Sequence, residues 1–136
     1  MFSRAGKVEW RRGLQAAYTD GLQMPLEISH KEVAPGTVVV TLAGKLMLGP
    51  LGEEIVTLVD ELLRKGERTI VFDLSGVTVI DSTGIGRFIA SYNKIVAAGG
   101  EMRMAGATGH LFHSFKVSLL DQVFPFFATV EAAVAG

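Results

Sequence analysis

The chain has 136 residues and no cysteine, which excludes disulfides, thiol nucleophiles, cysteine-held zinc and iron–sulfur clusters. Hydrophobic residues make up 49% and charged ones 20%, the balance of one globular domain rather than a disordered chain. Lys plus Arg number 13 and Asp plus Glu 14, a net charge of −1 without the basic excess of a nucleic-acid binder.

Residues 1–24 read as an N-terminal extension. Arg4, Lys7, Arg11 and Arg12 crowd its first half, Gly13 and Gly21 interrupt it, and Met24-Pro25 closes it. Trp10, Leu14, Ala17 and Tyr18 follow i, i+4, i+7, i+8 spacing. The segment is therefore either a disordered tail, sequence upstream of a start at Met24, or one short amphipathic helix for docking or a membrane surface. It lacks an apolar signal-peptide core, and runs such as Val38–Val40 and Val123–Ala128 fall far short of the ~20 residues of a membrane span. A cytoplasmic domain with no membrane span is expected.

From Leu26 the pattern is regular. Leu26, Ile28 and His30 alternate with polar residues as in a half-buried strand, Pro35-Gly36 makes a turn, and Thr37–Ala43 is a second strand of a hairpin. Gly49-Pro50 opens a helix with Glu53 and Glu54 at its positive end. Leu51, Ile55, Leu58, Val59, Leu62 and Leu63 recur at helical spacing, and Gly66 stops it. Thr69–Leu74 is the apolar run of a strand covered on both faces, followed by a separate short segment at Val77–Ile80.

After Asp81-Ser82-Thr83-Gly84 a second helix places Ile85, Phe88, Ile89, Tyr92, Ile95 and Val96 on one apolar stripe and ends at Gly99-Gly100. Glu101–Ala105 is a strand, Leu111, Phe115 and Leu119 mark a third helix, Val123–Phe127 a last strand and Thr129–Ala135 a final helix. The fold class is α/β: one domain with a mixed sheet of about four to five strands covered by about four helices.

Ser82 stands where a strand hands over to a helix. As an N-cap its hydroxyl would satisfy one amide of the first turn, worth about 1 kcal/mol. A serine hydrolase would need G-x-S-x-G, but Ile80 occupies the first glycine position; His110 and His113 lie downstream with only Glu101 as an acid between. Gly84-Ile85-Gly86 starts a dinucleotide motif that ends on Ile89 instead of glycine, and Gly44-Lys45 lacks the remainder of a P-loop. His110 and His113 are spaced to share a helix face but have no third metal ligand nearby. Asp73 and Asp81 at strand ends either face water or hold a cation or proton.

The stretch VFDLSGVTVIDSTGIGRFIASYNKIVAAGGEMRMAG carries an apolar strand, a D-S-[ST]-G-[LI]-G turn, a helix and a Gly-Gly-x-hydrophobic strand. With the Leu42-Ala43-Gly44-Lys45-Leu46 turn, it resembles STAS domains of the anti-sigma factor antagonist family over residues 25–136. The resemblance implies that Ser82 accepts phosphate from a partner that is both an anti-sigma factor and a serine-protein kinase. The unphosphorylated form would bind that partner and release a sigma factor; a serine phosphatase would restore it. The domain would be no enzyme, need no cofactor or metal, contact no nucleic acid and be a monomer or weak dimer.

Thr83 is a secondary phosphoacceptor in this reading. Asp81 orients the turn, Gly84 and Gly86 permit a close backbone approach, and Lys45, Met47, Arg87 and Asn93 complete the docking surface. Met47 and Leu48 stand where many family members carry a polar or acidic residue, which makes this surface less polar. The alternative is an unphosphorylated STAS scaffold within a transporter-associated or larger signalling assembly.

Overall fold

The computed structural model describes residues 26–47 and 50–136, so the expectations for residues 1–24 lie outside the described residues. Strands β1 (Glu27–Ala34) and β2 (Thr37–Leu46) form the expected hairpin, with Gly36 at φ 78° in the turn, where a side chain would be strained. Helix α1 (Pro50–Arg64) leads to β3 (Thr69–Ile80), α2 (Ser82–Ala97) to β4 (Glu101–Ala105), and α3 (Gly109–Val117) with a 3₁₀ turn (Leu120–Gln122) to β5 (Phe126–Phe127). Helix α4 (Val130–Ala135) follows β5. The sheet order is β1-β2-β3-β4-β5, antiparallel at β1/β2 and parallel elsewhere, so the mixed α/β fold is as expected.

Strand alternation sorts the core into two layers. Val38, Val40 and Leu42 of β2, Ile70, Phe72 and Leu74 of β3, and Met102 and Met104 of β4 share one buried cluster. Ile55, Val59 and Leu62 of α1, Phe88 and Ile95 of α2, and Leu111 and Phe115 of α3 pack into it. The three helices share a face because crossovers between consecutive parallel strands keep one hand and the strand order never reverses. Val39, Val71 and Ala105 point the other way and meet Ala133 of α4. Val71 is thus enclosed on the far side from Phe72, as the continuous apolar run of β3 requires.

Three local readings are corrected. Thr69–Leu74 and Val77–Ile80 form one strand: Ser75-Gly76 does not break it, because the β2/β3 register shifts near Leu42 and again between Gly44 and Lys45. Gly76 lies against β2 there, and a Cβ on it would sit 2.9 Å from Ala43 Cβ. The last strand is only Phe126–Phe127, because Leu120–Gln122 winds as a 3₁₀ turn after Leu119 at φ 63°. On α2 the core face is Gly84, Phe88, Ser91 and Ile95, whereas Ile89 and Val96 are exposed.

Candidate functional site

The C-terminal ends of β2 and β3 lie side by side, with Lys45 opposite Val79 and Leu46 opposite Ile80. The Asp81 amide donates to the Leu46 carbonyl at 3.3 Å, which fixes the point where β3 gives way to α2. Asp81 is extended at φ −114° and ψ −174°, and its Oδ1 accepts the Gly84 amide at 2.9 Å. Asp81, not Ser82, is therefore the N-cap. Ser82 is the first helical residue and is exposed. This relieves its hydroxyl of the capping role and sets it at the positive end of the helix.

The two glycines expected to permit close approach differ. A Cβ at Gly84 would overlap the Leu46 carbonyl oxygen and stand 2.8 Å from Ile80 Cγ1, so Gly84 lets α2 seat directly on β2. At Gly86 a Cβ would meet nothing within 4 Å. Gly86 is not a packing glycine; it leaves a notch on the outer face of α2.

Helical geometry then groups the outer residues. Ser82, Gly86, Ile89, Asn93 and Val96 recur at i, i+4, i+7, i+11, i+14 and are all exposed, opposite the buried Gly84, Phe88, Ser91 and Ile95. Thr83 is half-buried beside the stripe. Arg87 is turned toward α1, where its Nη2 lies 3.7 Å from Glu53 Oε2, and its buried Nε has no hydrogen-bond partner. Two turns on, Lys94 Nζ meets Asp60 Oδ1 at 3.2 Å. Lys45 and Met47 are exposed at the end of β2.

The structure thus brings Ser82, Gly86 and Asn93 onto one stripe beside the β2 end and sets Arg87 on the flank facing α1. Ile89 and Val79, both about 40% exposed, are apolar members of this surface that hydrophobic periodicity assigned elsewhere or left out. The signal that finds Ile89 is its seven-residue offset from Ser82.

A family model described as STAS domain matches residues 29–133. The chain belongs to the STAS domain family. No curated protein sequence matches this STAS domain. Among solved structures, it is similar to the anti-sigma factor antagonist SpoIIAA in its unphosphorylated form, at 23% identity and TM-score 0.69, covering 79% of this chain and 93% of that one. The phosphorylated form of SpoIIAA, from Bacillus, matches at 23% identity and TM-score 0.65, over 80% and 97% of the two chains. An anti-sigma factor antagonist from Mycobacterium paratuberculosis matches at 21% identity and TM-score 0.69, over 84% and 97%. A sulfate transporter family protein from Wolinella succinogenes matches at 17% and TM-score 0.69, over 77% and 87%.

The other constellations do not converge in this STAS domain. His110 and His113 are exposed on α3, and no group of three or more metal-ligating side chains occurs among the described residues. Glu101 is held by Arg103 Nη2 at 2.6 Å. Asp73 Oδ1 accepts from Ser75 N at 3.1 Å and Ser75 Oγ at 2.7 Å, hydrogen bonds made within β3. No helix among the described residues is long and apolar enough to cross a membrane.

Proposed function

We propose that this STAS domain is a phosphorylation-switched anti-sigma factor antagonist. Unphosphorylated, it binds an anti-sigma factor that is also a serine-protein kinase, which releases a sigma factor in the cytoplasm; phosphate on Ser82 ends the binding, and a serine phosphatase restores it. Thr83 is the secondary acceptor. The domain acts by binding and not by catalysis, as a monomer or weak dimer without cofactor or nucleic acid. The observation that carries the reading is the division of labour at the α2 mouth: Asp81 caps the helix, and Ser82 beside it is exposed. The likeness to SpoIIAA in unphosphorylated and phosphorylated forms supports it.

The physics of the switch is local. Phosphate adds about −1.5 to −2 charges. At a helix N-terminus that charge is stabilised by roughly 0.3–1 kcal/mol, so the free domain holds it without unfolding. Buried against a partner and beside Asp81, the same charge costs several kcal/mol when it finds no cation. The second cost exceeds the first gain, so docking fails while the fold persists. Incubation with the host's anti-sigma factor kinase and ATP should add one phosphate to the wild type, little to Ser82→Ala through Thr83, and none to the variant that also carries Thr83→Ala; equal incorporation into wild type and Ser82→Ala overturns the assignment.

The likeness to the Wolinella succinogenes sulfate transporter family protein favours one second reading, an unphosphorylated scaffold beside a transporter. In that case Ser82→Asp would leave partner binding unchanged.

A further inference from the structure

The sheet ends unevenly on its β5 side. Glu101 donates its amide toward β3, to the Arg68 carbonyl at 2.8 Å. Met104 donates toward β5, to the Pro125 carbonyl at 2.9 Å, and Gly106 to that of Phe127 at 3.1 Å. Main-chain groups alternate along a strand, so the amide and carbonyl of Met102 face the β5 side, like those of Met104. One more rung of the β4/β5 ladder would need an amide from residue 125 and the carbonyl of Val123. Pro125 has no N–H, and the chain before it is wound into the 3₁₀ turn at Leu120–Gln122. No described residue pairs with either Met102 group. Met102 is only 2% exposed, and buried main-chain groups are almost always paired.

A groove of about 450 Å³ runs along this edge, lined by Met102 and Pro125. It straddles the sheet. Tyr92 and Val96 reach it from α2, on one face. Gly136 and Arg103, whose Nη1 donates to the Ala133 carbonyl of α4, reach it from the other. Val96 and Val123 are 48% and 46% exposed and give the groove an apolar wall. Arg103 is paired with Glu101 at 2.6 Å, so the opposite wall is polar without net charge. Unpaired main-chain groups on the floor and unlike walls on either side are what an added strand requires: its backbone completes the rung, and its side chains alternate between the two faces.

We propose that this groove binds an extended peptide of a partner protein as a strand added beside residues 100–103. The peptide main chain bonds the amide and carbonyl of Met102. The peptide residue level with Met102 carries an apolar side chain, which lies against Tyr92 and Val96. Its two neighbours turn to the wall of Glu101 and Arg103 and are polar and uncharged. Met102 is level with Ile70, and α2 begins just past Ile80, so the groove lies about 30 Å along β3 from the Ser82 end. A peptide held there leaves Ser82 open, so this site does not rest on the function proposed above.

Hydrogen exchange and peptide display test this on the full-length protein. In the free protein the Met102 amide should exchange at least about tenfold faster than the Arg103 amide, which faces β3. Equal protection of the two means that another part of the chain or a second copy already fills the rung, and overturns the proposal. Random heptapeptides displayed on phage and selected on the protein should converge on an apolar residue between polar ones. The selected peptide, made synthetically, should slow exchange at Met102. It should bind Val96→Asp and Val123→Asp, both changed at exposed positions, at least about tenfold more weakly than wild type. Val33→Asp, on the far edge strand β1, should bind it as wild type does. The same peptide with its amides N-methylated should not bind. No selected peptide, or one indifferent to both groove variants or to N-methylation, overturns the site.

Discussion

The carboxylate of Asp81 accepts the amide of Gly84 at 2.9 Å, so the residue before Ser82 starts α2 and Ser82 is left to face solvent. Removing that cap exposes its energetic share. Asp81→Ala should lower stability by about 0.5–2 kcal/mol in urea titration, and Asp81→Asn should lose much less because an amide oxygen also caps. Ser82→Ala should leave the urea midpoint almost unchanged. A Ser82→Ala loss as large as that of Asp81→Ala would make serine the cap.

Gly84 and Gly86 separate packing from docking. Gly84→Ala drives a methyl into the Leu46 carbonyl oxygen and should cost about 1–3 kcal/mol. Gly86→Ala meets nothing and replaces a poor helix former, so it should gain up to about 1 kcal/mol. If the outer face of α2 docks a partner, the same Gly86→Ala fills its notch and weakens binding in a more stable protein. Thermal melts and calorimetric titration on one preparation read both effects.

Ser82→Asp tests the charge argument without a kinase. A carboxylate in the first turn of α2 suits the helix dipole, so the melting temperature should hold or rise. Binding to the anti-sigma factor kinase should weaken at least about tenfold, equivalent to 1.4 kcal/mol. Unweakened binding at an unchanged melting temperature would remove charge as the switch.

Much of this was legible in the sequence because local pattern and burial agreed. The apolar run of β3 is enclosed on both faces at Val71 and Phe72, and Gly66 and Gly99 end α1 and α2 with left-handed backbone and the paired amide–carbonyl bonds of Schellman caps. The order Asp-Ser-Thr-Gly marked the site. Two things needed coordinates. Hydrophobicity sent Ile89 and Val96 to the core, but α2 lies so close to β2 at Leu46 that glycine takes the facing position. Ser91 can share that buried face because its Oγ donates to the Arg87 carbonyl at 2.8 Å. Whether Asp81 or Ser82 caps the helix rests on one backbone angle, and both residue types suit either place.

Away from the site, Glu67 makes stability depend on pH. Its Oε1 is buried without a hydrogen-bond partner. Burial first, then the charge of and hydrogen bond with Glu32, push its pKa above the ordinary carboxylate value, against the opposing pull of Lys65. The folded state therefore holds this proton more tightly than the unfolded chain. The stabilisation this gives is complete below the unfolded pKa and disappears as pH rises through the folded one. At neutral pH the two carboxylates repel each other in the folded state. Glu67→Gln, which keeps the shape and removes the charge, should raise the urea midpoint at pH 7. It should also flatten the rise in stability that the wild type shows on acidification toward the ordinary glutamate pKa of about 4.3. Parallel pH profiles for the two proteins would mean that the pair contributes no linkage.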